Sequence, residues 1–236
     1  MTLADPKKQP PRPPGFSILM TSAVVAAFLI GSVLQEVRWR GGMPSVAPSP
    51  LESKDQQLEL GEVAFRDGNN ALALTLFDRL AAKHDPAAEY WLAHMTEWGI
   101  GVPKDPAKSI TLYAKAAADG SVPAQSRLGE IYLNGNLVTP DYAKAFELLG
   151  SAARSGNPRA AMLLGQMYRY GLGTKADPTE SYAWSEVAVV EGLSFAKIER
   201  EAAFASMSGD ERQKGAARAA DLVAEIKKKS TTAGKS

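Results

Sequence analysis

The chain of 236 residues contains no cysteine and only two histidines. The absence of cysteine excludes disulfides, thiol catalysis and metal sites with cysteine ligands. Two histidines are too few for a centre built from several imidazoles, so we predict neither a metal nor a cofactor. Residues 51–226 hold 18 basic and 24 acidic side chains, a net charge of −6. Because a body of that sign repels phosphate, nucleic acid is not an expected partner.

Charged residues are also absent between Arg12 and Glu36, and residues 16–34 form a mainly apolar run. As a helix this run would be about 28 Å long, close to the ~30 Å hydrocarbon core of a bilayer. Trp39 lies between two arginines just beyond it, as in an interfacial anchor. We therefore predict one transmembrane helix over residues 16–38. The alternative is a cleaved secretory signal, which would export the following residues as well.

Positive charge on both sides of this segment indicates its orientation. Lys7, Lys8 and Arg12 precede the run, and Arg38 and Arg40 follow it. The positive-inside rule therefore favours a cytoplasmic N-terminus. We expect a single-pass protein of the inner (cell) membrane, with the C-terminal body in the periplasm of a bacterium. Residues 1–15 would form a Pro-rich cytoplasmic tail, and residues 39–57, rich in Gly, Pro and Ser near their start, a flexible linker.

The middle of the chain repeats itself at an offset of 36 residues without a gap. The recurring positions are Ala88, Ala124 and Ala160; Leu92, Leu128 and Leu164; Gly99, Gly135 and Gly171; Asp105, Asp141 and Asp177; and Gly120, Gly156 and Gly192.

Each repeat is consistent with two helices. Small and apolar residues at helical spacing form a buried stripe in the first helix, which ends at a glycine such as Gly99. Asp105, Asp141 and Asp177 stand where the second helix begins, and we interpret them as N-caps rather than metal ligands. Pro106 then occupies the first helical position, where its missing N–H costs nothing.

The pattern A-x-x-x-L-G-x-x-Y-x-x-G-x-G, an Asp and A-A-x-x-G resembles the Sel-1-like repeat (SLR), a relative of the tetratricopeptide repeat (TPR). The unit that matches this pattern best is residues 158–192, with Ala160, Leu164, Gly165, Tyr168, Gly171, Gly173, Asp177, Ala188 and Gly192. The middle unit departs at Leu137, where a second Gly is expected, so its loop should have a different shape. The first unit departs from the pattern at Ala93 and Thr96, where Gly and Tyr are expected, and the third unit departs at Val189.

The resemblance implies an all-α fold, a helix-turn-helix solenoid of the SLR/TPR-like type, and the apolar run predicts one transmembrane helix before it. Its predicted parts are a degenerate capping repeat (58–86), three SLR repeats (87–122, 123–158 and 159–193), C-terminal capping helices (194–229) and a disordered tail (230–236). Caps are expected because a solenoid must cover its terminal edges.

Proteins of this family usually act as adaptors, which implies other proteins as partners and no small-molecule substrate. Neither His84 nor His94 has a Ser or Cys at a spacing typical of a catalytic pair, so we predict no enzyme activity. We expect a non-catalytic, membrane-anchored scaffold, serving as an assembly factor, regulator or accessory subunit of a cell-envelope complex. The alternatives are an envelope protein that binds peptidoglycan or another glycan, a regulator of a cell-wall enzyme, and a lumenal adaptor of a eukaryotic secretory organelle.

In related solenoids the first helices line the binding groove, which implies a set of groove residues here. They are Tyr90, His94, Glu97, Trp98, Glu130, Asn134, Gln166, Arg169 and Tyr170. Trp98 and Tyr170 would suit recognition of a peptide or helix. The alternative is that both aromatic rings pack between neighbouring repeats.

Fusions at the C-terminus test the predicted orientation. A fused alkaline phosphatase, which folds only outside the cytoplasm, should be active, and a fused cytoplasm-only fluorescent protein should be dark. Fluorescence without phosphatase activity would show that the orientation is inverted.

Overall fold

The computed structural model describes residues 53–233, and all regular elements among these residues are helices. They are α1 (Lys54–Arg66), α2 (Asn70–Ala81), α3 (Pro86–Trp98), α4 (Pro106–Ala118), α5 (Val122–Asn134), α6 (Tyr142–Arg154), α7 (Pro158–Tyr170), α8 (Pro178–Val190), a 3₁₀ helix (Ser194–Ala196), α9 (Lys197–Ser206) and α10 (Gly209–Ala233).

The helices pack as successive pairs. α1 packs on α2, α3 on α4, α5 on α6 and α7 on α8, and each pair contacts the next along the chain. The first helices α3, α5 and α7 also touch one another in order and form one side of the stack, which we call the first-helix face. α9 and α10 both pack on α8. The predicted all-α repeat solenoid is thereby confirmed.

Local sequence fixes where the helices begin and end. The side chains of Asp105 and Asp141 accept hydrogen bonds from the backbone N–H of Lys108 (2.9 Å) and Lys144 (3.0 Å). Asp177 accepts from the N–H groups at 179 and 180. These bonds confirm the predicted N-caps. At the other end of α3, Gly99 adopts the left-handed conformation that favours glycine.

The core is a series of apolar clusters between the layers of helices. The first lies among α1, α2 and α3 around Phe77, and the second joins α3, α4 and α5 around Tyr113. The third surrounds Trp184 and reaches Leu222 and Ile226 of α10. Since each cluster uses residues of neighbouring pairs, no pair buries its apolar face alone.

In three of the four helix pairs, a glycine of the first helix lies against the second helix. A Cβ built on Gly165 of α7 would lie 2.7 Å from Ser185 Oγ and 3.1 Å from the carbonyl oxygen of Ser181. Gly129 of α5 faces Leu149 in the same way, at 2.7 Å from its Cγ. Glycine at 129 and 165 is therefore a packing requirement, because the facing second helix leaves no room for a Cβ there. The first repeat has Ala93 at the same position, buried beside Tyr113.

Two predicted segment boundaries are wrong. α1 begins at Lys54, inside the predicted linker 39–57, because Ser53 and Gln56 form a capping box. α10 continues to Ala233, so residues 230–233 of the predicted disordered tail are helical. There the hydroxyls of Ser230 and nearby threonines bond back to carbonyls one turn earlier.

Two further expectations concern the middle loop and the membrane span. Leu137 does not adopt the positive φ found at Gly101 and Gly173, so the middle loop differs in shape, as its sequence predicts. The predicted transmembrane helix 16–38 lies outside the described residues. Within residues 53–233 no helix is both long and apolar enough to cross a bilayer.

Substituting Gly165→Ala should destabilise the protein by about 2 kcal/mol, because the new methyl group meets backbone and a buried serine. The matched control is Gly150→Ala in α6, whose Cβ would meet only the flexible end of Arg154, at 3.3 Å or more. The control should gain up to about 1 kcal/mol of helix propensity. Urea unfolding of residues 51–236 measures both values, and equal effects would contradict the close-approach argument.

Candidate functional site

Two cavities open along the first-helix face. The first, of about 300 Å³, is lined by α3, α5 and the start of α7. We call it the N-terminal cavity, and its lining residues are Tyr90, His94, Trp98, Pro123, Ser126, Arg127, Glu130, Asn157 and Arg159. Aromatic rings supply one wall and charged groups the other.

The second cavity, of about 220 Å³, lies between the ends of α5 and α7. We call it the C-terminal cavity, and its lining residues are Leu133, Asn134, Tyr142, Gln166, Met167, Tyr170 and Leu172. It carries no charged side chain and presents two tyrosines at its rim, both exposed.

Alternating charges tie the three first helices together beside the N-terminal cavity. Glu97 of α3 accepts a hydrogen bond from Arg127 Nε of α5 (3.1 Å) and another from the Tyr113 hydroxyl of α4 (2.9 Å). Arg127 also reaches Glu130 on its own helix (3.1 Å), and Glu130 accepts from Arg159 Nε of α7 (3.2 Å). We call this series of side chains the charge ladder.

The contacts of the ladder shift the pKa values of Arg127, Glu130 and Tyr113. The hydrogen bond to Glu97 outweighs burial and raises the pKa of Arg127. Burial disfavours ionised Glu130, but its bonds to Arg159 and the charge of Arg127 outweigh that effect and lower its pKa. Burial, reinforced by Glu97, raises the pKa of Tyr113. At neutral pH Glu130 is therefore ionised between the guanidinium groups of Arg127 and Arg159.

His94 lies in an aromatic setting rather than beside a nucleophile. Its ring contacts those of Phe65, Tyr90, Trp91 and Trp98 at centroid distances of 5.8 to 6.4 Å. Burial lowers its pKa below the usual value, so the ring is neutral at neutral pH. This environment suits packing and provides no geometry for a catalytic pair.

Seven of the nine predicted groove residues line a cavity, four in the first and three in the second. Glu97 lines neither cavity, because it is buried beneath Arg127, which does line the first one. Arg169 is bonded to Glu199 of α9 (3.1 Å) and stacks over Tyr170. Trp98 and Tyr170 are 55% and 62% exposed, so neither ring is packed away between repeats.

Comparison with protein-family models identifies the helical pairs. The Sel1 repeat model matches residues 86–121, 122–157 and 158–189, which correspond to α3–α4, α5–α6 and α7–α8. Residues 86–189 are thus similar to three consecutive Sel1 repeats. These repeat bounds begin one residue before the predicted ones, at the N-terminal residue of each first helix. No curated protein matches the chain at a significant level.

Solved structures show the same fold. The crystal structure of c5321, a protective antigen present in uropathogenic Escherichia coli strains and displaying an SLR fold, matches with a TM-score of 0.67 and 23% identity over 86% of this chain. A Sel1 repeat protein from Oxalobacter formigenes is 33% identical over 61% of this chain, with a TM-score of 0.56. The chain covers 46% and 43% of these two proteins, less than half of either.

Sequence reasoning missed Arg127 and Arg159, although both line the N-terminal cavity. A signal for them exists. The ion pairs between neighbouring repeats join Glu97 to Arg127, Glu130 to Arg159 and Arg169 to Glu199, all 29 or 30 residues apart. That separation is one 36-residue repeat less about two helical turns, so opposite charges at this offset indicate contacts between successive first helices.

Replacing Arg127 by Met should destabilise the helical repeats by about 2–4 kcal/mol, because buried Glu97 would lose its counter-charge. Arg159→Met is the matched control, since its side chain is 54% exposed and such pairs contribute about 1 kcal/mol or less. Urea unfolding followed by circular dichroism measures both. Equal losses would contradict the assignment of Glu97 as the buried centre of the ladder.

Proposed function

We propose that this protein is a membrane-anchored, non-catalytic scaffold whose Sel1 repeats bind a protein partner along the first-helix face. The partner would place apolar side chains in the two cavities. Sel1 repeats generally mediate protein–protein interactions, which supports a binding role for this surface. The observation that carries the proposal is the exposure of Trp98 and Tyr170, one beside each cavity.

Large exposed aromatic residues are costly to leave in water and are typical of binding hot spots. Trp98 and Tyr170 occupy equivalent positions two repeats apart, at the last residue of α3 and of α7. Each has an arginine against its ring, Arg127 at 5.9 Å and Arg169 at 5.2 Å. Because these arginines are held by Glu97 and Glu199, the rings keep one orientation and lose little freedom on binding.

The cellular setting follows from the sequence outside the described residues. We propose that residues 16–38 cross the inner membrane once, with the N-terminus in the cytoplasm and the repeats in the periplasm. The scaffold would then serve an envelope complex as an assembly factor, regulator or accessory subunit. The uncharged run and the flanking arginines and lysines support this placement.

Site-specific photo-crosslinking tests the binding face in intact cells. A photoreactive residue at position 98 or 170 should give a discrete protein adduct, whereas one at position 204 should give none. Phe204 is the matched control because it is an exposed aromatic residue of α9 that contacts Tyr182 and lines neither cavity.

Once that partner is purified, Trp98→Ala and Tyr170→Ala should each weaken its binding at least about tenfold, and Phe204→Ala should leave it unchanged. Circular dichroism should show unchanged helicity in all three variants. Equal binding by every variant would refute the proposed face. Binding of residues 51–236 to purified peptidoglycan, lost in the same two variants, would replace the protein partner by a glycan.

A further inference from the structure

A second group of polar side chains lies where the turn before α3 meets the end of α4. His84 is in that turn, Glu89 is in the first turn of α3, and Asp119 follows the last residue of α4. One possible ligand atom from each lies within 4.8 Å of the other two. The charge ladder and both cavities use none of these residues.

Glu89 provides the observation that points to a ligand. Its side chain is 3% exposed, and its Oε1 is paired with Lys115 Nζ at 2.5 Å. The other oxygen, Oε2, is buried and has no hydrogen-bond partner among the described residues. A buried carboxylate oxygen without a donor is costly, and a cation would satisfy it.

The three residues distinguish the first Sel1 repeat from the next. Thirty-six residues on, Glu89 corresponds to Gln125, whose Nε2 donates to the carbonyl oxygen of Ala117 (3.2 Å). A carboxylate has no such proton to donate. At the same offset Asp119 corresponds to Ser155, so neither negative charge recurs in the second repeat.

His84 is equally specific to this turn. The equivalent residues of the next three turns are Gly120, Gly156 and Gly192, all with positive φ. His84 has φ 59° and is the one non-glycine residue in that region among residues 53–233. An imidazole therefore stands where glycine is otherwise used, at a conformational cost of about 1 kcal/mol.

We propose that His84, Glu89 and Asp119 bind one Zn²⁺ ion. One imidazole and two carboxylates match the ligand preference of zinc, with water completing a tetrahedron. Mg²⁺ and Ca²⁺ prefer sets made only of oxygen atoms. His84 and Asp119 are exposed, so their side chains are free to move the short distance needed for coordination.

Lys115 determines how tightly the ion is held. Its ammonium competes for Glu89, but the side chain is 48% exposed and leaves toward solvent when zinc arrives. The bound ion joins the turn after α2, the start of α3 and the end of α4. It therefore pins the N-terminal pair α1–α2 to the first Sel1 repeat.

Zinc titration of the full-length chain tests the site. The protein is purified in a neutral detergent without a polyhistidine tag, stripped with a chelator and dialysed. Calorimetry should show one Zn²⁺ per chain and no comparable binding of Mg²⁺ or Ca²⁺. At zinc concentrations about a hundredfold above Kd, the thermal midpoint of the helical signal should rise by about 5 °C or more.

Three of the four variants are chosen to fold because they copy the equivalent residue of another repeat, namely Gly120, Gln125 or Gln166, and the fourth replaces the half-exposed Lys115. His84→Gly and Glu89→Gln should each weaken Zn²⁺ binding at least about tenfold and abolish the rise in midpoint. Lys115→Gln should bind Zn²⁺ more tightly than the parent chain. His94→Gln, which removes the other histidine, is the control and should bind as the parent does.

Three results would overturn the proposal. They are no saturable zinc binding by the parent chain, unchanged binding in the His84 and Glu89 variants, and loss of binding in the His94 variant alone. Co²⁺ provides a second readout, since a tetrahedral site with nitrogen and oxygen ligands gives visible absorption bands that must vanish in His84→Gly.

Discussion

The contact between the two helices of each pair is the constraint on which the rest of this structure depends. One position of each first helix holds only glycine or alanine, and the four residues are Gly61, Ala93, Gly129 and Gly165. The facing residues of the second helices are Phe77, Tyr113, Leu149 and Ser185, each 36 residues after the last. Larger residues face the N-terminal positions and smaller ones the C-terminal. This register shows that α1–α2 is a true member of the stack, although its loop is shorter by several residues.

The fold could be predicted from the sequence because its signals are local and repeated. Asp105 caps the helix that follows a glycine loop, and aspartate occupies the same position in the next two repeats. Gly99 ends α3 because the chain needs a positive φ there. The boundaries that failed depend on single capping bonds, as at Ser53, or on hydroxyls that extend a helix beyond its apolar stripe, as at Ser230. Such bonds contribute about 1 kcal/mol each and leave only a weak trace in composition.

The candidate groove was only partly predictable for a different reason. Register alone indicates which positions of α3, α5 and α7 point to one side, and it correctly places Trp98 and Tyr170 at the surface. It does not indicate that Glu97, at a position of the same face, is covered by Arg127 from the next repeat. That arrangement depends on the tilt between successive first helices, which sets which turns of α3 and α5 meet. Long-range ion pairing is therefore decided by geometry that the repeat pattern does not specify.

The C-terminal helix has a consequence for how such a stack can grow. A run of identical repeats is a one-dimensional polymer, and each end of it is a template for another unit. α10 is about twice as long as the repeat helices, lies along α8 and reaches back to Gly156 with Ile226. It fills the apolar edge that a further repeat would use and presents lysines instead. The apolar edge of α8 is thus covered within the same chain and offers no template for a further helix pair.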